Sequence, residues 1–454
     1  MTTAQLRYVP TTEVAAIVEQ LRGEGARVLR GTFADNAGVL RAKQVPIHRA
    51  AAFHAPGVGA APSWAVFAVD DAVVFTQRFG ATGDIRLRAD LDAVVGVGGG
   101  VALAPVELAD QFGRPLDYCP RGALRRQQAG AEADGVEILA AIEVELTCFE
   151  GTTGLPTGGP AYGMAPLIRN SAFIDDVHEL FQSAGLEIEQ FHAEYGNGQI
   201  ELSLEPMAPL DAADANVLAK VLLCTVARRH GLALSWSPQP LFDGIGNGAH
   251  VHLSFTQGGR PLLSGGPAPQ QLTDDGAAVV ATLVSRLPEA VGMLAPSLLS
   301  AARLQPGHWS GAYACWGVEN REAAVRLCQA TPGNVHGAHL EVKCVDPSAN
   351  PYTALATLCG LARHGLHGTT ALPPEVTVPP GMLSDDERDA SGAVRLCDSQ
   401  ESALDAADAS ALLRQILGDG LVDAHLAVRR HELELAKSES PEDLVERFRF
   451  AWSA

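Results

Sequence analysis

The chain has 454 residues, of which 47% are hydrophobic and 19% charged, values typical of a globular protein with a large core and two domains. Its 33 basic and 53 acidic side chains leave a formal net charge of −20, which argues against nucleic acid as a partner because phosphates need a basic face. No signal sequence and no apolar run of membrane-spanning length is visible, so we expect a cytoplasmic protein without membrane contact. The eight cysteines are scattered and include no CxxC pair, so we expect them to be reduced.

The first part of the chain predicts one helix and several short strands. Apolar residues at helical spacing predict a helix at 12–25, and the residues at 35–38 are typical of a hairpin turn. The predicted strands lie at 28–33, 39–45, 64–69 and 72–76. The glycines at 98–100 lack the continuation of a phosphate-binding loop and are interpreted as a turn. This small domain is predicted to span residues 1–116.

Residues 117–454 predict a larger second domain in which strands and helices alternate. The predicted strands lie at 136–149, 190–205 (a pair that turns at 196–198), 232–237, 249–255, 321–328 and 337–345. The predicted helices lie at 122–133, 172–184, 211–230, 274–300 (with a break near Pro288), 351–365, 402–418 and 421–436. The alternation is typical of a mixed helix and sheet domain.

Several predicted strands carry polar residues on alternate positions of an apolar run. Glu143 and Glu145 form one such pair, and His250 and His252 form another. Residues i and i+2 of a strand point to one face, and a charged side chain on a buried face is costly unless it is paired or binds a metal. The pattern therefore predicts a sheet that surrounds cations and a charged ligand.

The proposed metal ligands are mostly carboxylates, a donor set that suits Mg²⁺ or Mn²⁺ rather than zinc. They are Glu143, Glu145, Glu194, Glu201, His250 and Glu341. Six ligands exceed what one such ion usually takes from protein, so we infer at least two ions. Glycines 246 and 248 precede His250 and let the backbone approach a ligand closely.

Three arginines form a second group, at positions 303, 321 and 326. The guanidinium of arginine offers a planar fork to carboxylate and phosphate oxygens. Divalent cations together with several arginines are typical of active sites for phosphoryl transfer, because the charge on the transferred phosphoryl group must be neutralised.

These motifs, in their order along the chain, resemble the glutamine synthetase superfamily. The matching stretches are 33–38, 142–146, 194–201, 237–240, 246–254, 316–321 and 341–352. The resemblance implies an α+β protein with an N-terminal β-grasp domain and a C-terminal glutamine-synthetase catalytic α/β domain. It also implies a homododecamer of two stacked rings that phosphorylates the γ-carboxylate of glutamate with ATP before an amine displaces the phosphate.

The resemblance also implies roles for individual residues. Glu145, Glu194 and Glu201 would hold one metal, and Glu143, His250 and Glu341 the other. Arg321 and Arg326 would contact the ATP phosphates, with His252 and Ser254 beside the nucleotide. Gly246 and Arg303 would contact the amino-acid substrate. Lys343 stands where the family has an arginine, so it keeps the charge and loses the fork.

The chain departs from glutamine synthetases at the position that serves ammonium. Trp309 falls where the family has a flap glutamate that binds ammonium and takes its proton. An indole instead offers cation–π contact and apolar stacking to a larger amine. Ile245 replaces an asparagine that contacts the amino acid, and small residues at 301 and 302 replace large ones. The chain therefore resembles the actinobacterial γ-glutamylpolyamine synthetases within this superfamily.

We expect an ATP-dependent ligase that joins glutamate to an organic amine, with a polyamine favoured. Catalysis would rely on Arg303, Arg321 and Trp309, and the substrates would contact Gly246, Arg303, Lys343 and Trp309. Three alternatives stay open: an ordinary glutamine synthetase in which Trp309 only packs the flap, a γ-glutamyl-monoamine (ethanolamide) synthetase, and a non-catalytic ring protein.

Overall fold

The computed structural model describes residues 11–151, 159–334, 337–397 and 399–454. Its N-terminal part contains a helix, a short second helix and six strands, which begin and end close to several predicted positions. These elements are α1 (Thr11–Gly23), β1 (Val28–Ala34), β2 (Leu40–Pro46), α2 (Ala50–His54), β3 (Val58–Ala60), β4 (Ile85–Ala89), β5 (Val95–Gly96) and β6 (Val101–Ala109).

The six N-terminal strands form one sheet in the order β2-β1-β6-β4-β3, with β5 paired to β6. Strands β1 and β6 are parallel, and β1 and β2 form the predicted hairpin. The predicted strands at 64–69 and 72–76 are wrong: these segments share one isolated bridge, between Phe67 and Val73. A 3-10 helix at Pro62–Ala65 and a left-handed Asp71 (φ 64°) bend the chain too sharply for a longer ladder.

The remainder of the chain contains helices that alternate with short strands. In chain order they are α3 (Pro120–Ala133), β7 (Val136–Ile142), β8 (Val144–Glu150), α4 (Met164–Arg169), α5 (Ser171–Ser183), β9 (Ile188–Ala193), β10 (Gln199–Leu204), α6 (Pro209–Arg229), β11 (Leu232–Ser235), β12 (Val251–Gln257), β13 (Arg260–Pro261), α7 (Asp274–Leu294), α8 (Ser300–Arg303), β14 (Tyr313–Val318), β15 (Ala323–Cys328), β16 (His339–Val342), α9 (Pro351–Leu366), α10 (Asp385–Ser391), β17 (Val394–Arg395), α11 (Gln400–Ala409), α12 (Ala411–Leu417), α13 (Asp419–Ala436) and α14 (Pro441–Phe448).

Two sheets in this part of the chain meet at Glu143. One sheet has the order β11-β8-β10-β9, and the other has the order β13-β12-β16-β15-β14-β17 with β7 also paired to β12. The single strand predicted at 136–149 is therefore wrong, because β7 belongs to the second sheet and β8 to the first. The backbone N–H of Glu143 still donates to the His250 carbonyl (3.0 Å) before the chain passes into the other sheet.

Helix α7 packs against α9 and α11 in the core. By length and composition alone α7 could cross a membrane, but 67% of its apolar window is buried inside the protein, as in a core helix. The predicted break near Pro288 is not observed, because α7 continues through that residue. The predicted helix at 402–418 is divided instead at Ser410, whose hydroxyl accepts the Leu413 N–H and caps α12.

A buried ionic network joins the N-terminal sheet to the helices behind it. The guanidinium of Arg121, 3% exposed, contacts Asp90 (2.8 Å), Glu107 (2.8 Å) and Asp214 (2.7 Å). Burial lowers the pKa of Arg121, but the charges of Asp214 and Glu107 outweigh it and raise that pKa well above its usual value. The network links β6, α3 and α6.

We expect Arg121→Met to destabilise the fold by about 3–5 kcal/mol, because Asp214 would lose its buried cation and Asp90 and Glu107 would keep only Arg125. The denaturant midpoint of the assembled protein measures the loss. As the control, Arg22→Met removes an exposed partner of Glu19 and should leave the midpoint almost unchanged. Equal midpoints for the two variants would contradict a stabilising role for the network.

Candidate active site

Three polar residues form a row across the first of the two sheets. The antiparallel register places Glu145 of β8 opposite Glu201 of β10, and Glu201 opposite His192 of β9. Directly paired residues point to the same face of a sheet. The imidazole of His192 reaches Glu201 at 3.3 Å, and Glu194, two residues further along, lies 4.0 Å from the other ring nitrogen.

A second row crosses the neighbouring sheet. His252 of β12 lies opposite Glu341 of β16, which lies opposite Arg326 of β15. Arg326 donates to Glu341 (3.0 Å), and the buried ammonium of Lys343 donates to the other oxygen of that carboxylate (2.8 Å). Ser254 lies two residues beyond His252 on the same strand. The second row therefore carries both a carboxylate and the cations that neutralise it.

Glu143 connects the two rows because it stands at the junction of the sheets. One carboxylate oxygen contacts His250 Nδ1 (2.7 Å) and the other contacts His252 Nε2 (2.9 Å). His250 also lies 3.3 Å from Glu341 and 3.7 Å from Glu145. The prediction that Glu143 and Glu145 share one strand is wrong, yet the bend between β7 and β8 still brings them to one site.

Among the described residues, donor atoms gather in two sets that could hold a metal ion. The sets are Glu143, Glu145 and His250, and Glu143, His252 and Glu341. Within each set the donor atoms lie within 4.8 Å of one another. Glu143 belongs to both sets. The resemblance grouped Glu143 and Glu341 with His250, whereas the structure groups these two carboxylates with His252. Glu194 and Glu201 belong to neither set and lie beyond them, around His192.

The donor chemistry of this site fits Mg²⁺ or Mn²⁺. Carboxylates dominate, and oxygen ligands are what these hard cations prefer. Glu194 keeps one buried carboxylate oxygen without a hydrogen-bond partner among the described residues. An unsatisfied buried anionic oxygen is unfavourable unless a cation or donor approaches it.

The carboxylates of the site lie close together, and this changes their pKa values. Burial raises the pKa of Glu201 to about 7, with the charges of Glu143 and Glu145 adding to the effect of burial. Burial also raises the pKa of Glu341, but Lys343 and His250 reverse that effect and lower it to about 2. The first row thus has excess negative charge that a divalent cation would neutralise.

Arg303 lies behind the metal-ligand set and is 5% exposed. Its Nη2 donates to the Lys343 carbonyl (3.3 Å) and lies 3.1 Å from His250 Nε2, whereas Nη1 is buried without a partner among the described residues. A Cβ at Gly246 would lie 2.8 Å from the Arg303 side chain, and one at Gly248 would lie 2.6 Å from it. Glycine at both positions therefore leaves room for the guanidinium and for a ligand.

The loop at residues 304–312 (the flap) joins α8 to β14 and carries Trp309. The indole is 49% exposed, and the backbone of Trp309 is left-handed with φ 52°. That conformation costs a non-glycine residue about 1–2 kcal/mol. The side chain is therefore displayed at the surface rather than packed beneath the flap.

Arg321 lies in the turn between β14 and β15 and is exposed. Its positive charge acts on Tyr162 and on Glu319. Glu319 also accepts from Arg326 Nη2 (2.5 Å), so the two arginines predicted to contact phosphate are grouped around one carboxylate.

Two residues of the site were missed in the sequence. The His192 ring contacts Glu201, and its position two residues before Glu194 on a strand is a signal that could have found it. The Tyr162 hydroxyl donates to Glu194 (2.9 Å). Tyr162 lies in a loop far from Glu194 along the chain, so no local pattern predicts their contact.

The fold and this site together define a member of the glutamine synthetase family. Residues 117–447 match the glutamine synthetase catalytic domain, and the chain belongs to that family. It is an ATP-dependent ligase that forms carbon–nitrogen bonds.

Individual relatives agree with the family assignment. The chain is 39% identical over 427 residues to the γ-glutamylpolyamine synthetase GlnA3 of Streptomyces coelicolor, with 92% of each chain covered. It is 27% identical to the glutamine synthetase of Clostridium saccharobutylicum, over 77% of this chain and 81% of the relative. A crystal structure described as a novel glutamine synthase homolog superposes with a TM-score of 0.84 at 28% identity, covering 94% of this chain and 98% of the other.

Proposed function

We propose that this ligase joins the γ-carboxylate of glutamate to an organic amine, with a polyamine favoured, through a γ-glutamyl phosphate. The observation that carries the proposal is the exposed indole of Trp309 on the flap. No acidic residue occurs between Arg303 and Val318, so the flap offers no carboxylate of its own to an ammonium ion. The name of the Streptomyces coelicolor relative supports a polyamine as the amine.

The acid substrate would be held by the buried cations beside the metal-ligand set. Among the described residues, one guanidinium nitrogen of Arg303 has no hydrogen-bond partner, and a substrate carboxylate would satisfy it. The ammonium group of Lys343 donates a hydrogen bond to the Glu341 carboxylate. Lys343 therefore contributes positive charge to this end of the site rather than a direct fork.

Arg321 and Arg326 would bind the phosphates of ATP and neutralise the phosphoryl group as it moves to the γ-carboxylate oxygen. The ligands of the divalent metal ions would be Glu143, Glu145, Glu194, Glu201, His250 and Glu341, with His252 beside them. When bound, Mg²⁺ or Mn²⁺ would screen the phosphate charge and orient its oxygens. The amine would then attack the γ-carbonyl carbon, the carbon–oxygen bond to phosphate would break with release of inorganic phosphate, and the amine nitrogen would lose its proton to water.

We expect phosphate release from ATP with glutamate and Mg²⁺ to be stimulated by putrescine, spermidine or spermine far more than by ammonium or ethanolamine. The mass of the product identifies the amide. Turnover with ammonium alone would indicate an ordinary glutamine synthetase, and turnover with ethanolamine alone a monoamine ligase. ATP turnover with none of these amines would contradict the proposal and favour another acid substrate or a non-catalytic protein.

Several wider features belong to the same proposal. We infer that residues 1–116 form a β-grasp domain and residues 117–454 the catalytic domain. We further propose a cytoplasmic homododecamer of two stacked rings, as the resemblance implies. Mass photometry of the purified protein would count its subunits.

A further inference from the structure

Glu322 is a buried carboxylate beside Arg321 in the turn between β14 and β15, with only 6% of its surface exposed. One of its oxygens accepts the backbone N–H of Trp309 (2.8 Å), and the other accepts the backbone N–H of Gly307 (3.1 Å). Both oxygens are therefore bonded to the flap. A buried carboxylate with both oxygens accepting N–H groups is favourable where an unpaired one would not be.

The geometry of the flap explains why it needs this acceptor. Gly307 and Trp309 both have left-handed backbones, with φ 80° and 52°. These turns direct their N–H groups inward to Glu322 while the indole stays exposed. The base of the flap is held separately, by the Ser310 hydroxyl on the Gln305 carbonyl (3.0 Å). Glu322 is thus the side chain that fixes the tip of the flap, where Trp309 lies.

The carboxylate of Glu322 is poorly placed to bind a substrate cation itself. Each of its oxygens already accepts one N–H, and with the residue 6% exposed an ammonium group in solution has little access to the lone pairs that remain. Glu322 interacts with the backbone of the flap. It would therefore affect binding of the amine only by positioning Trp309.

We propose that Glu322 is a positioning residue for the amine substrate: it fixes the left-handed tip of the flap so that the Trp309 indole faces the incoming amine. Because Glu322 adjoins Arg321, it also links the flap to the turn proposed to bind the ATP phosphates. This inference rests on the proposed function, since it assigns a role in binding the organic amine.

Steady-state kinetics of Glu322→Ala and Glu322→Gln test this role. In Glu322→Ala both flap N–H groups lose their acceptor, and we expect the KM for the polyamine to rise roughly tenfold while the KM for ATP stays within about twofold. Glu322→Gln keeps one acceptor oxygen and should give an intermediate KM. More ATP should also be hydrolysed without amide formation, because a loosened flap admits water. The control is Glu137→Gln, which changes an exposed carboxylate on β7.

Fluorescence gives a second readout that does not depend on turnover. The fluorescence of Trp309 is obtained by subtracting the emission of Trp309→Phe from that of the parent. Quenching of the Trp309 fluorescence by acrylamide should increase in Glu322→Gln. If Glu322→Ala fails to assemble, Glu322→Gln carries both measurements. An amine KM and Trp309 quenching equal to those of Glu137→Gln would overturn the inference, as would a fall in kcat with an unchanged amine KM. If the parent itself makes no amide with an organic amine, the proposed function fails instead.

Discussion

Trp309→Glu is expected to shift the preferred nucleophile from the organic amine toward ammonium. The variant places a carboxylate on an exposed flap position, at which the resemblance to glutamine synthetases implies a glutamate. A hydrogen bond to a charged group contributes about 1.5–3 kcal/mol, so the ratio of kcat/KM for ammonium to that for the polyamine should rise by roughly 10- to 100-fold. Competition between the two amines, with both products quantified by mass, measures the ratio directly.

Trp309→Gln is the matched control for this shift. Glutamine has nearly the shape of glutamate but no charge, so it reports what the loss of the indole does by itself. We expect Trp309→Gln to weaken polyamine use without improving ammonium use. No gain in ammonium turnover by Trp309→Glu over the parent would contradict the role given to Trp309.

Glu143→Gln is expected to have the largest effect on catalysis. Glu143 belongs to both sets of metal-capable donors and contacts both His250 and His252. Loss of its charge should reduce amide synthesis by roughly 10²- to 10³-fold. It should also weaken the binding of Mn²⁺, which calorimetry or electron paramagnetic resonance measures on the intact protein.

Glu150→Gln controls for the loss of a strand carboxylate, since Glu150 ends β8 and is exposed. Its activity and its Mn²⁺ affinity should match those of the parent. If Glu143→Gln, folded and assembled, bound Mn²⁺ as tightly as the parent, the two donor sets would not be the metal site.

Much of the site could be predicted because its signals are local. Alternation of polar residues within an apolar strand identified His250 and His252, and the structure places both against the carboxylate of Glu143. The hairpin after β1 and the turn between β9 and β10 were also predicted, because short-range turn chemistry determines them. The helices α3, α5 and α6 begin and end within a few residues of their predicted limits.

Predictions were wrong where a boundary depends on contacts distant in sequence. Residues 136–149 have the pattern of one continuous strand, and only their pairing with β12 on one side and β10 on the other divides them at Glu143. Likewise the pattern at 64–76 has strand character, but the 3-10 helix at Pro62–Ala65 and the left-handed Asp71 limit it to one isolated bridge. Local periodicity cannot say which partner a strand will find.

By itself the sequence determined the family, the residue types of the site and the unusual tryptophan on the flap, because motifs and single substitutions can be recognised from the order of residues alone. Only the tertiary structure decided that Glu143 joins two sheets, that His192 and Tyr162 reach Glu201 and Glu194, and that Glu322 holds the flap. These contacts depend on strand register and on loops brought together by packing. Such packing is a property of the whole fold rather than of any segment.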